Sequence, residues 1–455
     1  MRIITFIILG FLPLFLLFSC SKQLNRTLSF SVMDYGAIGD GLGDDTISFQ
    51  KAINAVAKNG GGDVYIPSGT YILQPIYLKS NVNLVGESRD TVKIKLIDHA
   101  PDWSRIVTVE KVENVKIRNI TIDGNYEMNK TGNEHMHNIF IFDSKNIVID
   151  NNRLMNAVGD GVSVSGSRKT SKYITISNNL IEDCHRSNIV IEQVNHVKIY
   201  NNLSKSNTGR PVLHFEPWEE INFSDAKIYS NTFETNQEPD YYSIELRGGW
   251  GEGNYFNGIE FYNNTVNSPD AEFLVMVTKG AKIHDNIFNV ANIYIWVQNE
   301  DLNFYNNKIN SHDGFVIEGT WGMNSKRLTI SDNTVTLNGG DAVRILLGSN
   351  DTTFKRNTFK NKSKTHKAAY MNARLTDISN TSFIDNTFTN FEYGIVTDND
   401  QNKFVNGLKI KGNTFKNIKK HSIYAPRESS RSVIVGKNKY INAGAILIKD
   451  DGFVE

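Results

Sequence analysis

From Ile147 onward, apolar and polar residues alternate in short runs, and nearly every run closes on asparagine. The copies read IVIDNN to Asn152, ITISNN to Asn179, VKIYNN to Asn202, AKIYSN to Asn231, IEFYNN to Asn264 and AKIHDN to Asn286. They continue as NFYNN to Asn307, LTISDN to Asn333, TTFKRN to Asn357, TSFIDN to Asn386, LKIKGN to Asn413 and VIVGKN to Asn438. Eleven intervals span 286 residues, 26 per repeat on average, with single spacings of 21 to 33. Period-two alternation at this repeat length predicts an all-β solenoid of parallel strands, with about three strands per coil and coils about 4.8 Å apart. Asparagine suits the corner between two strands, because it tolerates a left-handed backbone and can hydrogen-bond its copy in the next coil. That structural role accounts for the repeated asparagines, so none is assigned to catalysis.

A second strand aligns in each coil as GVSVSG (Gly161), NIVIEQ (Asn188), VLHFEP (Val212), SIELRG (Ser243), FLVMVT (Phe273), NIYIWV (Asn292), GFVIEG (Gly314) and AVRILL (Ala342). Its alternation predicts two inward columns. One is Val162, Ile189, Leu213, Ile244, Leu274, Ile293, Phe315 and Val343; the other is Val164, Ile191, Phe215, Leu246, Met276, Ile295, Ile317 and Ile345. Both are wholly apolar, and a slip of one residue would bury several charges. Three consecutive coils then present Glu192, His214, Glu216, Glu245 and Arg247 outward, within about 5–10 Å of one another. A row of salt bridges explains any single pair. It explains less well the aromatic residues beside them, since exposed aromatic surface marks a contact site. Trp218, Trp250, Tyr294, Trp296, Arg210, Arg186 and Tyr242 are therefore expected to bind substrate, with Tyr241, Trp321, Arg168, Lys169 and His185 nearby.

Solenoids need covered ends. Thr46–Lys58 is the one convincing helix, with Asp45 or Thr46 as its cap and Ile47, Ala52, Ile53 and Val56 mostly on one face. It is expected to close the N-terminal end. Ahead of it, Arg2 and the apolar run from Ile3 to Phe18 form a targeting segment ending Leu17-Phe18-Ser19-Cys20, which resembles a bacterial lipobox. The expected division is 1–19 signal peptide, 20–30 linker and 31–455 solenoid. Cys20 would carry lipid and hold the protein in the cell envelope of a bacterium. Cys184, the only other cysteine, is then expected to be a small buried hydrophobe. Lys plus Arg and Asp plus Glu both number 49, which argues against a nucleic-acid partner. A monomer is expected.

The segment VMDYGAIGDGLGDDTISFQKAINAVAKNGGGDVYIPSGTY, Val32 to Tyr71, resembles the N-terminal block of the pectin-lyase-like superfamily. The resemblance implies a single-stranded right-handed parallel β-helix of about 12 or more coils with an N-terminal capping helix. It implies a carbohydrate-active protein, but the fold hosts hydrolases, lyases, epimerases and binders alike. The epimerases' Tyr-x-x-Asp-Pro-His motif is absent from the coil reading Gly159-Asp160-Gly161, as are calcium-binding glycine-rich nonapeptides. The polygalacturonases' paired Asp and Gly-His-Gly are absent too; Asp160 stands alone in a broadly comparable place.

Two chemistries suit the outward cluster. Hydrolysis needs two carboxyl groups, which Glu192, Glu216 and Glu245 can supply. Elimination from a uronate needs a cation on the sugar carboxylate, a base for the proton on carbon 5 and an acid for the departing oxygen. Arg247, His214 and Tyr241 or Tyr242 match those roles. The mixed His/Glu/Arg character favours β-elimination on plant or algal uronate glycans, by a lyase or an oligosaccharide dehydratase. In a dehydratase, the loops Gly248–Asn257 and Ser363–Ala369 would block the groove. A glycoside hydrolase and a non-catalytic glycan-binding lipoprotein are the alternatives. Many β-helix lyases use calcium, which stays open here, with Glu192 and Glu216 as candidate ligands and no metal set assigned.

Overall fold

A computed structural model describes residues 29–167, 169–218, 223–236, 242–249, 251–320, 322–400 and 402–448. Cys20, Arg168, Tyr241, Trp250 and Trp321 lie outside the described residues. The strands form three long sheets of 17, 16 and 15 strands and a short sheet of five in the C-terminal coils. Every strand pairing among the described residues is parallel, and a typical coil contributes one strand to each long sheet. The predicted all-β solenoid is the observed architecture.

The asparagine ladder is continuous. From Asn152 to Asn438, each side-chain N–H donates to the Oδ1 of the next asparagine at 2.9–3.2 Å across all eleven steps. A second proton of each amide goes to a backbone carbonyl, as from Asn286 to Phe261 at 3.0 Å. Ladder asparagines up to Asn413 are therefore buried with their polar atoms paired. The left-handed residue is one position earlier than the sequence suggested. Asn151, Asn178, Asn201, Asn263 and Asn306 have φ of 54–57°, as do Ser230, Asp285, Asp332 and Arg356 within a degree or two in other coils. The turn residue bends the chain and the next one ties it to its neighbour; the two jobs fall to adjacent residues.

Helix α1 (Thr46–Lys58) covers the first coil. It buries Phe49, Ala52, Ile53 and Val56, whereas Ile47, expected on that face, is 69% exposed. Asp45 sits at the cap position, but its carboxylate accepts from the N–H groups of Ile38 and Gly39 at 2.7 and 3.2 Å. Asp44 takes the Thr46 N–H instead, at 2.9 Å.

The sheet that carries the outward cluster includes β1 (Val107–Glu110), β2 (Ile139–Phe142), β3 (Asp160–Ser165), β4 (Ser187–Ile191), β5 (Leu213–Phe215), β6 (Ile244–Arg247), β7 (Phe273–Met276), β8 (Ile293–Trp296) and β9 (Phe315–Glu318). The predicted register holds through β3–β6, where His214 lies opposite Val190 and Glu245. It fails in β7 by one residue. Ile244 pairs Phe273 and Leu246 pairs Val275, so Phe273 and Val275 enter the main core while Leu274 and Met276 face outward. With Val277 and Val297 they form a separate apolar cluster, roofed by Tyr242, Tyr255, Tyr294 and Trp296. A run of five apolar residues gives alternation no sign to read, so the sheet partners decide.

Candidate active site

Strands β4–β6 deliver the central group. His214 Nε2 lies 2.8 Å from Glu245 Oε2, and its Nδ1 is 4.0 Å from Glu216. Arg247 runs beneath both carboxylates, with Nε 3.2 Å from Glu245, a second nitrogen 3.4 Å from Glu216, and an Nε–H donated to the Phe215 carbonyl. It is only 3% exposed. Arg247 therefore positions the two glutamates, and the bidentate grip on a sugar carboxylate expected of it would require it to give up those contacts.

Arg186, from the loop entering β4, is the hub. Its guanidinium pairs with Asp160 at 3.0 Å, with Glu134 at 3.2 Å and with Glu216. Asp160 is fully buried, and burial alone would raise its pKa. Arg186 and His137 outweigh that and hold it below the usual carboxylate range. His137, itself buried, places Nδ1 3.1 Å from both the carboxylate and the backbone nitrogen of Asp160. Gly159 permits this approach: a Cβ there would sit 2.3 Å from the Glu134 carbonyl and 2.8 Å from His137.

The Arg186–Glu216 pair divides two hollows, and both residues line each of them. The larger, about 750 Å³, is bordered by Tyr126, His185, Arg210, His214, Tyr242 and Glu245. His185 stacks on Tyr126 with centroids 3.2 Å apart, and burial lowers its pKa. In Tyr242, burial first, then Glu272 and Glu245, raise the phenol's pKa. The smaller hollow, about 360 Å³, is bordered by Trp103, Arg105, His135, Phe140, Glu192 and Trp218. There His135 stacks on Trp103 at 4.2 Å, and the Arg105 guanidinium lies 3.6 Å over Phe140. Glu192 accepts from the Ser165 hydroxyl and, at 2.8 Å, from Trp218 Nε1–H. Burial pushes its pKa up to about 7.

All five residues expected to be catalytic thus line these hollows, as do Trp218, Arg210, Arg186 and Tyr242. Tyr294 and Trp296 line neither; they cover the apolar cluster over β7, and the Tyr294 hydroxyl donates to Glu318 at 2.6 Å. In the first expected blocking loop, 248–257, the Gly253 N–H donates to Gln298 and none of the described residues lines either hollow, and Lys364 of the second lines a distant cavity. The site's wall is instead the segment 126–134 around α2 (Tyr126–Asn129). Among the described residues, no cluster of three or more His, Cys, Asp or Glu is arranged to hold a metal ion. Glu192 accepts from two donors and Glu216 pairs with two guanidinium groups.

Sequence reasoning missed Trp103, Arg105, His135 and His137. They precede β1 and β2, two coils before the alignment began. The apolar run Ile139-Phe140-Ile141-Phe142, one coil earlier, pairs with the strand at Val162, and the two histidines lie just ahead of it.

A family profile described as a right-handed beta helix region matches residues 105–288 and 281–454. The chain belongs to that right-handed β-helix family. Ahead of it, residues 29–105 match a profile for rhamnogalacturonase A/epimerase, pectate lyase-like. Among curated β-helix relatives, mannuronan C5-epimerase AlgE2 of Azotobacter vinelandii is 37% identical over 113 residues, 22% of this chain and 11% of that protein. Alginate lyase 7 of the same organism is 38% identical over 115 residues, 22% of this chain and 13% of that one. The chain therefore spans only about an eighth of these relatives' length. The N-terminal fragment of bacteriophage phi29 gene product 12 superposes with a TM-score of 0.50 at 14% identity, covering 93% of this chain and 92% of that one, which supports the fold alone.

Proposed function

We propose that this β-helix protein removes the proton on carbon 5 of a uronate residue and completes a β-elimination, as a polysaccharide lyase or an oligosaccharide dehydratase. The observation that carries this reading is the His214–Glu245 pair opening on a hollow it shares with a tyrosine whose proton is held tightly. In the tautomer that donates Nε2–H to Glu245, His214 Nδ1 keeps its lone pair and serves as the base. As the proton leaves carbon 5, its electrons form the double bond to carbon 4 and the bond from carbon 4 to oxygen breaks. Tyr242 gives its proton to the departing oxygen and is reprotonated from the histidinium or water. Arg210 borders the same hollow and supplies positive charge for the sugar carboxylate, while Arg186, already paired with three carboxylates, holds Glu216 in place. With Arg247 beneath the glutamates, the carboxylate-binding role moves to Arg210.

The relatives support a uronate as substrate, since they are named for alginate and mannuronan chemistry. Lyases and C5-epimerases share the first step, and the missing Tyr-x-x-Asp-Pro-His motif favours elimination here. The N-terminal apolar run and Cys20 support a lipid-anchored bacterial envelope protein; palmitate labelling lost in Cys20→Ala tests that part.

The function is tested on a panel of polyuronates and their oligomers in D2O, read by absorbance and mass. Elimination gives the absorbance of an unsaturated uronate, with loss of water from a single chain end marking the dehydratase. New reducing ends without that absorbance identify a hydrolase instead. Deuterium uptake without a new double bond identifies an epimerase, and no product at all identifies a binding protein.

A further inference from the structure

The last coils carry a charge that the rest of the chain does not. Residues 355–448 hold 17 Lys and Arg against 6 Asp and Glu, an excess of 11 in a chain whose totals are equal. Lys360 and Lys416 are exposed on the outer face of the 16-stranded sheet, in one column with Thr389 between them. Lys439 is exposed in the adjoining column, opposite Thr414. Where this sheet's strands turn toward the sheet of β1–β9, a hollow of about 600 Å³ opens, lined by Lys364, Lys419, Asn390, Asn417 and Asn442. The three asparagines form their own ladder, Asn417 donating to Asn390 at 3.0 Å and Asn442 to Asn417 at 3.1 Å.

Among the described residues, no carboxylate lines this hollow. The nearby Glu392 is paired with Lys420 at 2.7 Å. Among the described residues, Lys360, Lys364, Lys416, Lys419 and Lys439 make no ion pair. Five like charges gathered on one region raise the folded state's energy unless an anion neutralises them. The amides add donors and acceptors suited to hydroxyl groups. A concave wall of amides and lysines fits a chain that can enter it and not a flat lipid surface.

We propose that this hollow and the lysine face beside it bind a carboxylated polysaccharide, at a second site separate from the candidate active site. Both sites open on the same edge of the solenoid, in loops that lead into the strands of one sheet. Eight coils separate β5 from the strand at Ile423, about 40 Å at about 4.8 Å per coil. The loops between them carry Asp270, Glu272, Asp313 and Asp341, so the second site is not a continuation of the first groove. A polymer held there stays close to the active site without filling it. The identity of the polymer rests on the function proposed above; the anionic character of the ligand does not.

The test is isothermal titration of the full chain with polygalacturonate and polymannuronate, with a neutral β-glucan and with anionic phospholipid vesicles as comparisons. Wild type is expected to bind a polyuronate, more weakly as salt rises. Lys364→Glu/Lys419→Glu is expected to lose about tenfold or more in affinity while its turnover of short oligomers stays the same. Lys360→Glu/Lys416→Glu, changed only on the open face, gives the same answer should the first variant fold poorly. Unchanged polyuronate binding in both variants overturns the proposal, as does equal binding of the neutral glucan. Vesicles bound more tightly than polyuronate through the same lysines overturn it in favour of a lipid surface. Lysine-dependent binding without turnover on any substrate sinks the enzymatic reading and upholds this one; turnover without lysine-dependent binding does the reverse.

Discussion

At Glu192, burial raises the carboxyl pKa to about 7 from an ordinary 4.5, against the opposing hydrogen bonds from Ser165 and Trp218. Between those values the folded chain keeps a proton that the unfolded chain has released. The associated stability is fully present below about pH 4.5 and is lost as pH rises through about 7. Glu192→Gln, which cannot titrate, is expected to remove that dependence. Relative to wild type it should gain up to about 3 kcal/mol between pH 4.5 and 8, measured by denaturant titration at each pH. An identical pH slope in the two proteins would contradict the assignment. Residues at this scale were legible where they lay on the aligned strands: His214, Glu216 and Glu245 meet as the alternation required. The roles were less legible. Nothing in the sequence distinguishes Arg247, buried under two glutamates, from Arg186, which bridges two hollows. That difference comes from loop conformation, and loops have no periodicity to read.

The strand and its closing corner are the elements that define the solenoid. Asn286 shows what a ladder residue contributes. It donates to Phe261 and Asn307 and accepts from the N–H and side chain of Asn264. Asn286→Ala leaves several of those buried groups unpaired, at a cost of about 2–4 kcal/mol. Asn438→Ala, at the ladder's end and less buried, should cost less than half as much. Equal losses in thermal or chemical denaturation would show that the ladder is not the unit that matters. The ladder was readable because hydrogen-bond stacking demands the same residue in every coil. The β7 register was not, because Phe273-Leu274-Val275-Met276-Val277 offers no polar residue to mark the outer face. The apolar patch it places outside explains why Tyr294 and Trp296 are where they are. They cover hydrophobic surface, which a sequence reading takes for sugar-binding aromatics.

For the whole molecule, one core runs from α1 to the last coils, and each coil relies on the next. Phe49, Ala52, Ile53 and Val56 close that core at one end. Removing residues through Lys58 is expected to drive the chain into aggregates on size-exclusion chromatography; a truncated chain that elutes as cleanly as the intact one would refute a capping role. Net charge was the misleading quantity at this scale. A total of zero conceals an acidic first part and a basic last part, and only the coil order places the lysines together. The proposed chemistry turns on one step, in which His214, oriented by Glu245, takes the proton from carbon 5 of a uronate. Its most direct test compares wild type with His214→Ala on whichever polyuronate the panel identifies, following the absorbance of the unsaturated product. The expected result is a rate lower by about 10²–10⁴ in a protein of unchanged circular dichroism; a rate within a few-fold of wild type would contradict the claim.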